Sequence, residues 1–290
     1  MVELTADVLD EMPLPLLEEG DKGARGNVLI IGGSVNVPGG ALLAGIAALR
    51  AGAGRLRIAT CDQHASSLAL TIPEAFVLGL SSTAEGGISP SEVKKLFPLI
   101  EWADSVVIGP GLTDQNAIDA LVKSVLGGCG KLPQFVFDAR AIQSIRRSEE
   151  LFKLHAVRAV LTPHGGEMAR LMDRERSEIE SDPSLWAETA ANAFRTVVAL
   201  KGARTYIVGP SQDHYVCGGH IGLATSGSGD VLAGVIGGLL ARGASPLIAA
   251  CWGVYLHSQA GHRLGKKIGR LGFLARELLP EIPIVMNELS

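Results

Sequence analysis

The stretch Thr225-Ser226-Gly227-Ser228-Gly229-Asp230 runs without a break into the apolar sequence Val231-Leu232-Ala233-Gly234-Val235-Ile236. Glycines let a backbone approach a ligand closely. The first amides of a helix have no intrahelical partner and carry a partial positive charge. Small residues that lead into a helix are therefore an anion site, best suited to phosphate. Asp230 does not belong in such a site passively. A carboxylate beside a phosphate repels it unless it has a task, such as taking a proton from an attacking hydroxyl. The other reading is that Asp230 only caps the helix. On this stretch alone the two readings stand level.

Other clusters that could carry chemistry each follow a short apolar run. Asn27-Val28-Leu29-Ile30-Ile31 ends in Gly32-Gly33-Ser34, and Ser105-Val106-Val107-Ile108 ends in Gly109-Pro110-Gly111. Phe135-Val136-Phe137 ends in Asp138, and Ala159-Val160-Leu161 ends in Thr162-Pro163-His164-Gly165-Gly166-Glu167. The run 196–200 ends in Lys201-Gly202. Unbroken apolar runs suit strands buried on both faces. A further strand is expected over 55–59, and helices over about 41–50 and 117–126. Strands that alternate with helices imply βαβ units and a mostly parallel sheet with helices on both faces. After Lys201 the rhythm changes: Thr205-Tyr206-Ile207-Val208 and His214-Tyr215-Val216-Cys217, joined by Gly209-Pro210-Ser211-Gln212-Asp213, read as an antiparallel hairpin. Two more helices are expected over roughly 246–264 and 271–279, and the first twenty residues, with Pro13 and Pro15, read as an irregular lead-in. Ligands of open α/β sheets bind beyond the carboxyl ends of the strands. The clusters from Gly32 to Lys201 should therefore line one edge. No linker or composition break is visible, so one domain is expected over residues 1–290.

Composition narrows the class. With 47% hydrophobic and 19% charged residues, the chain can build a large core and is not a disordered one. Aromatics are scarce at 4% and the net charge is −4, which argues against a nucleic-acid partner. Lys266-Lys267 with Arg263 and Arg270 reads as the solvated face of a helix. The acidic N-terminus lacks the apolar core of a signal peptide, and no apolar run is long enough to span a bilayer. Cys61, Cys129, Cys217 and Cys251 form no CxxC pair and read as reduced, mostly buried thiols of a cytoplasmic protein.

Familiar alternatives fail on residues. Gly130-Lys131-Leu132 lacks the hydroxyl and the upstream glycine of a P-loop. No GxGxxG follows the first long strand. His257 and His262 are five apart, a poor spacing for one helix face, and neither HExxH nor GxSxG occurs.

Six landmarks together resemble the ribokinase-like superfamily and, more closely, the ADP/ATP-dependent NAD(P)H-hydrate dehydratase family. They are Gly32-Gly33-Ser34, the run Ala47-Ala48-Leu49-Arg50-Ala51-Gly52-Ala53-Gly54, Val107-Ile108-Gly109-Pro110-Gly111-Leu112, Thr162-Pro163-His164-Gly165-Gly166-Glu167, Lys201-Gly202-Ala203, and the run from Ala224 to Gly234. The last alone identifies only the superfamily; the order and spacing of all six identify the family. The resemblance runs from about Gly26 to Pro280. It implies a three-layer αβα fold with a mostly parallel central sheet and a C-terminal antiparallel hairpin. It also implies a reaction: hydrated NADH or NADPH carries a hydroxyl on a saturated ring carbon, phosphorylation turns that hydroxyl into a leaving group, and the ring nitrogen expels it. By resemblance Asp230 takes the hydroxyl proton and contacts the substrate, and the amides of Gly227, Ser228 and Gly229 hold the charge on the transferred phosphoryl group. Gly40, Gly111 and His164 match positions that contact the hydrated dinucleotide. Lys201, Gly202, Ala203, Arg204, Thr205 and Gly229 match positions that hold the adenine nucleotide. ADP or ATP is the implied co-substrate, with Mg²⁺ arriving on its phosphates and no protein cage for the metal. The implied assembly is a homo-oligomer, with a tetramer as one arrangement. Many relatives carry an N-terminal epimerase domain, for which this chain is too short.

The chain departs from the family at several points. Gly40 stands where an alanine is usual, a change expected to affect little beyond flexibility. Thr113 replaces a glycine, Arg140 replaces the second acid of Asp-Ala-Asp, and Ser228 replaces a threonine while keeping a hydroxyl. Arg140 matters if it faces the site and not if it faces solvent. Plainer readings stand beside the functional ones. His164 would only start a helix, Lys201 would snorkel over the sheet edge, and Asp138 would be either a buried hydrogen-bonded acid or a contact to water or Mg²⁺. Gly234 and Gly238 read as sites of close helix packing, and His155, His214 and His220 receive no role. Two rival functions remain: an alcohol kinase of the same superfamily, and a nucleotide-binding regulatory protein without activity.

Overall fold

A computed structural model describes residues 1–15, 23–128, 133–154, 158–211 and 213–289. Cys129, the Gly130-Lys131-Leu132 run, His155 and Gln212 lie outside the described residues. In chain order the strands are β1 (Val2–Glu3), β2 (Asn27–Ile31), β3 (Arg55–Cys61), β4 (Ala75–Leu80), β5 (Ser105–Ile108), β6 (Gln134–Phe137), β7 (Ala159–Leu161), β8 (Val197–Leu200), β9 (Arg204–Val208) and β10 (His214–Gly218). They form one sheet in the order β1-β10-β9-β8-β7-β6-β5-β2-β3-β4. From β4 across to β8 the strands run parallel, and β8/β9 and β9/β10 pair antiparallel.

The pattern of β2 explains the layers. Val28 and Ile30 point into one buried cluster, Leu29 and Ile31 into another on the opposite face. Both faces are covered, so the strand is apolar throughout rather than alternating. Helices Gly39–Arg50, Ser228–Ala241, Pro246–Lys267 and Ala275–Glu288 supply one cover, and helices Gln115–Gly128, Ala141–Arg147, Gly165–Met172 and Pro183–Phe194 supply the other. This is the expected three-layer αβα arrangement.

Close helix packing sets the position of the glycine-rich turn. A Cβ at Gly234 would lie 2.2 Å from the Ala44 carbonyl oxygen, and one at Gly238 would lie 2.5 Å from that of Ala48. Helix Ser228–Ala241 therefore lies directly on helix Gly39–Arg50. Ser105 Oγ donates to Gly237 O at 2.6 Å and ties the same helix to β5. The turn is thereby fixed above the carboxyl ends of the strands.

Strand β4 and helices Asp62–Thr71 and Pro183–Phe194 lie where the sequence reading assigns no element, and both ends of the chain differ from it. The lead-in is partly regular: Val2–Glu3 pairs parallel with β10, and Thr5 accepts from Val8 N–H at the start of helix Ala6–Asp10. The last helix is Ala275–Glu288, not 271–279, and it continues through Pro280 and Pro283. Its buried residues Leu278, Leu279, Ile282 and Val285 form a stripe against the core, and that packing overrides the two prolines.

Candidate active site

The strand-end clusters converge as the alternation implied. Gly33 N–H donates to Pro110 O at 2.8 Å, Asp138 N–H to Ile108 O at 3.0 Å, Thr162 N–H to Phe137 O at 3.1 Å and Lys201 N–H to Pro163 O at 2.7 Å. Between β2 and β5 the strand order reverses, because β2 leads to β3 and β4 on one side while β5 to β8 follow on the other. That reversal is where open α/β sheets hold ligands.

Gly227 precedes helix Ser228–Ala241 with φ 88°, a left-handed conformation suited to glycine, and no side chain caps the helix. Asp230 is therefore not used as a cap. Among the described residues the amides of Gly227, Gly229 and Asp230 have no carbonyl acceptor, whereas Ser228 N–H turns toward Thr225 O at 3.3 Å. The predicted set of three donor amides is corrected on this point: the short turn bends the Ser228 amide back onto its own loop.

A charged cluster faces this helix start. Lys201 Nζ donates to Asp138 Oδ1 at 2.8 Å and lies 4.0 Å from Glu167 Oε2. The same Nζ would be 3.3 Å from a Cβ at Gly229, so the ammonium lies beside the open amides. Lys201 does not snorkel; it is paired. Desolvation opposes its charge, but the Asp138 and Glu167 carboxylates outweigh it and hold the ammonium above its ordinary range. Asp138 is a buried hydrogen-bonded acid, since its Oδ1 also accepts from Thr162 Oγ1 at 2.6 Å. Burial, then the Asp138 carboxylate, push the Asp230 carboxyl up to about 7; Lys201 pulls the other way and Glu167 adds to the rise. A carboxylate with that affinity for a proton is suited to general-base work near neutral pH.

His164 does start a helix. Its Nδ1 accepts from Gly166 N–H at 3.0 Å and Glu167 N–H at 3.3 Å, while Glu167 Oε2 accepts from His164 N–H at 2.9 Å. This is a reciprocal capping box. Burial keeps the imidazole below its ordinary range despite the neighbouring Glu167. The ring nevertheless lines the cleft.

That cleft has a volume of about 810 Å³. Lys201, Gly202, Ala203, Thr205 and Gly229 line it. Arg204 does not; its guanidinium pairs with Glu3 of β1. Cys217, His220, His257 and Ser258 also line the cleft and were not singled out from sequence as site residues. Nothing in the sequence marks Cys217 or Ser258, and the spacing of His257 to His262 bears only on metal binding.

Gly40 and Gly111 meet at the strand-order reversal. A Cβ at Gly40 would lie 2.6 Å from Gly111 N, and Gly111 itself has φ 70°. Glycine at position 40 is thus a matter of space, not of flexibility as expected. Gly40 and Gly111 are not among the residues that line the cleft. They connect to the helix start through Leu43, whose Cδ1 would be 2.6 Å from a Cβ at Gly227. Thr113 N–H donates to Ser34 Oγ at 2.9 Å, a backbone bond that a glycine at this position would also make, so the structure gives the threonine no distinct task. Arg140 is exposed. Among the described residues no group of three His, Cys, Asp or Glu side chains could hold a metal ion. None of the helices there is long and apolar enough to cross a membrane.

The sequence profile described as NAD(P)H-hydrate dehydratase matches residues 28–284. The chain is 45% identical over 287 residues to an ADP-dependent (S)-NAD(P)H-hydrate dehydratase of Xanthomonas campestris, covering 99% of this chain and 96% of that one. It is 37% identical to the bifunctional NAD(P)H-hydrate repair enzyme Nnr of Moorella thermoacetica over 93% of this chain, but it spans only 51% of that longer protein. Its fold is similar to the solved structure of the ADP/ATP-dependent NAD(P)H-hydrate dehydratase of Bacillus subtilis co-crystallised with ATP/Mg²⁺, with a TM-score of 0.83, 28% identity and coverage of 100% and 99%. A hydroxyethylthiazole kinase of Pyrococcus horikoshii shares the fold at a TM-score of 0.58 and 19% identity, with coverage of 96% and 92%.

Proposed function

Because the chain belongs to the NAD(P)H-hydrate dehydratase family, we propose that it restores NADH or NADPH from the S form of the hydrate with ADP or ATP as phosphoryl donor. The ring hydroxyl attacks the terminal phosphorus of the nucleotide and gives its proton to Asp230. The bond from that phosphorus to the nucleotide's bridging oxygen breaks, leaving a ring phosphate ester. The ring nitrogen lone pair then forms a carbon–nitrogen double bond as phosphate leaves, and loss of the neighbouring ring proton gives the dihydronicotinamide. The protein's part is positioning and electrostatics.

One observation carries this reading: a carboxyl raised to about 7 at a helix start that no side chain caps. Lys201 and the amides of Gly227 and Gly229 would meet the phosphoryl charge. Gly202, Ala203 and Thr205 would hold the adenine nucleotide, with Arg204 contributing backbone only. Gly40, Gly111 and His164 would contact the hydrated dinucleotide, the first two through backbone approach. Mg²⁺ would come bound to the phosphates and neutralise part of their charge, since Asp138 and Glu167 already face Lys201. A homo-oligomer is the assembly the family resemblance implies, and light scattering tests it. A cytoplasmic location accords with this substrate.

Incubation with hydrated NADH and ADP or ATP tests the reaction. Recovery of the dihydronicotinamide absorbance is expected. A stable phosphate ester without recovery would instead mark an alcohol kinase, whose solved examples match this chain at the level of fold alone.

A further inference from the structure

One buried side chain at the helix start has no task in this mechanism. His257, from helix Pro246–Lys267, is buried and lines the cleft. Its Nε2 lies 2.9 Å from Ser228 Oγ and 3.0 Å from the Ser228 carbonyl oxygen. A carbonyl oxygen only accepts. The contact to it therefore places the proton on Nε2, because an unprotonated nitrogen there would set two lone pairs against each other. The same N–H serves Ser228 Oγ, which accepts in this contact. An accepting hydroxyl keeps its own proton to donate, and among the described residues Ser228 Oγ has no second partner.

Ser228 has no other donor to offer, since its amide is turned to Thr225 O. Its hydroxyl belongs to a buried residue that lines the cleft next to Gly229. Burial drives the His257 imidazole down to about 4, so it is neutral at working pH and adds no charge beside the phosphates.

We propose that the Ser228 hydroxyl donates to the transferred phosphoryl group, and that His257 is the positioning residue that aims it by donating Nε2–H to Ser228. This rests on the nucleotide reading of the cleft. It adds which atom of Ser228 meets the phosphate and which residue holds it there.

Calorimetric binding of ADP, which carries the transferred phosphoryl group, and AMP, which lacks it, tests the assignment in the whole chain. Ser228→Ala and His257→Leu should each weaken ADP about tenfold and leave AMP unchanged, the loss of one charge-assisted donor. Ser228→Thr, which keeps a hydroxyl, should bind ADP as the wild type does. The double variant should be no weaker than Ser228→Ala alone, because His257 acts through a hydroxyl already removed. Additive losses, equal weakening of AMP and ADP, or undiminished ADP binding by Ser228→Ala would overturn the proposal. The Ser228 pair decides the hydroxyl's role even if His257→Leu does not fold. Binding is read without turnover, so a wild type that binds ADP but restores no dihydronicotinamide overturns the reaction and not this assignment.

Discussion

Helix Gly165–Met172 begins by satisfying itself, with His164 and Glu167 exchanging bonds across its first turn, while helix Ser228–Ala241 begins on a left-handed glycine with no side-chain cap. Both starts meet the same ammonium: Lys201 Nζ lies 4.0 Å from Glu167 Oε2 in the first and beside Gly229 in the second. The first start closes its amides and fixes a carboxylate in place. The second leaves its amides open and carries the acid with the raised proton affinity. A missing cap costs about 1 kcal/mol, and an uncapped start is retained where a ligand can take the amides. The contrast separates a turn built for stability from one built for binding.

The sharpest way to break the contrast is to remove the acid. Asp230→Asn should lower turnover about a hundredfold or more. It should also stabilise the protein without ligand. The Asp230 carboxyl is raised in the fold from 3.8 to about 7, so its favourable contribution is full below its unfolded value and is lost as pH rises through about 7. At pH near 8 the variant should therefore resist denaturant better than wild type, by up to about 4 kcal/mol, with the difference shrinking toward acid pH. Denaturant melts at two pH values check the sign.

Lys201→Met comes next. It leaves the buried Asp138 and the nearby Glu167 without their cation and should cost about 3 kcal/mol of stability. Since Lys201 pulls the Asp230 proton affinity down, the acid limb of any remaining activity should move to higher pH. A limb that stays in place would detach Lys201 from the base.

The smallest effect is at the capped start. His164→Ala should lose about 1 kcal/mol with the cap, and His164→Asn, an effective cap, should recover most of it. A rise in KM for hydrated NADH in both variants would show that the ring also contacts substrate; a rise in neither would leave it a cap.

Much of this was legible in the sequence, and the limits are physical. The runs of β2 and β5 announce themselves because both faces are buried, so no polar residue interrupts them. The convergence of Gly33, Asp138, His164 and Lys201 followed from strand alternation alone. The contact of β1 with β10 did not, because both residues of β1 are exposed and the pairing depends on a distant partner. The last helix was read too short because two prolines argue locally against what core packing achieves. In the site, a glycine at position 40 signals either freedom or close approach, and only the position of Gly111 tells which. His257 was invisible as a partner of Ser228 because a contact across two helices leaves no spacing to read. The capping of His164 was written in its own motif, as the glutamate three residues on.

The pH dependence of kcat/KM for dehydration of hydrated NADH with ADP tests the central claim most directly. The account predicts a wild-type rate that falls as pH drops below about 7, the value to which the Asp230 carboxyl is raised, and an Asp230→Asn rate that is far lower and lacks that limb. An Asp230→Asn variant that keeps the wild-type rate and the same acid limb would contradict it.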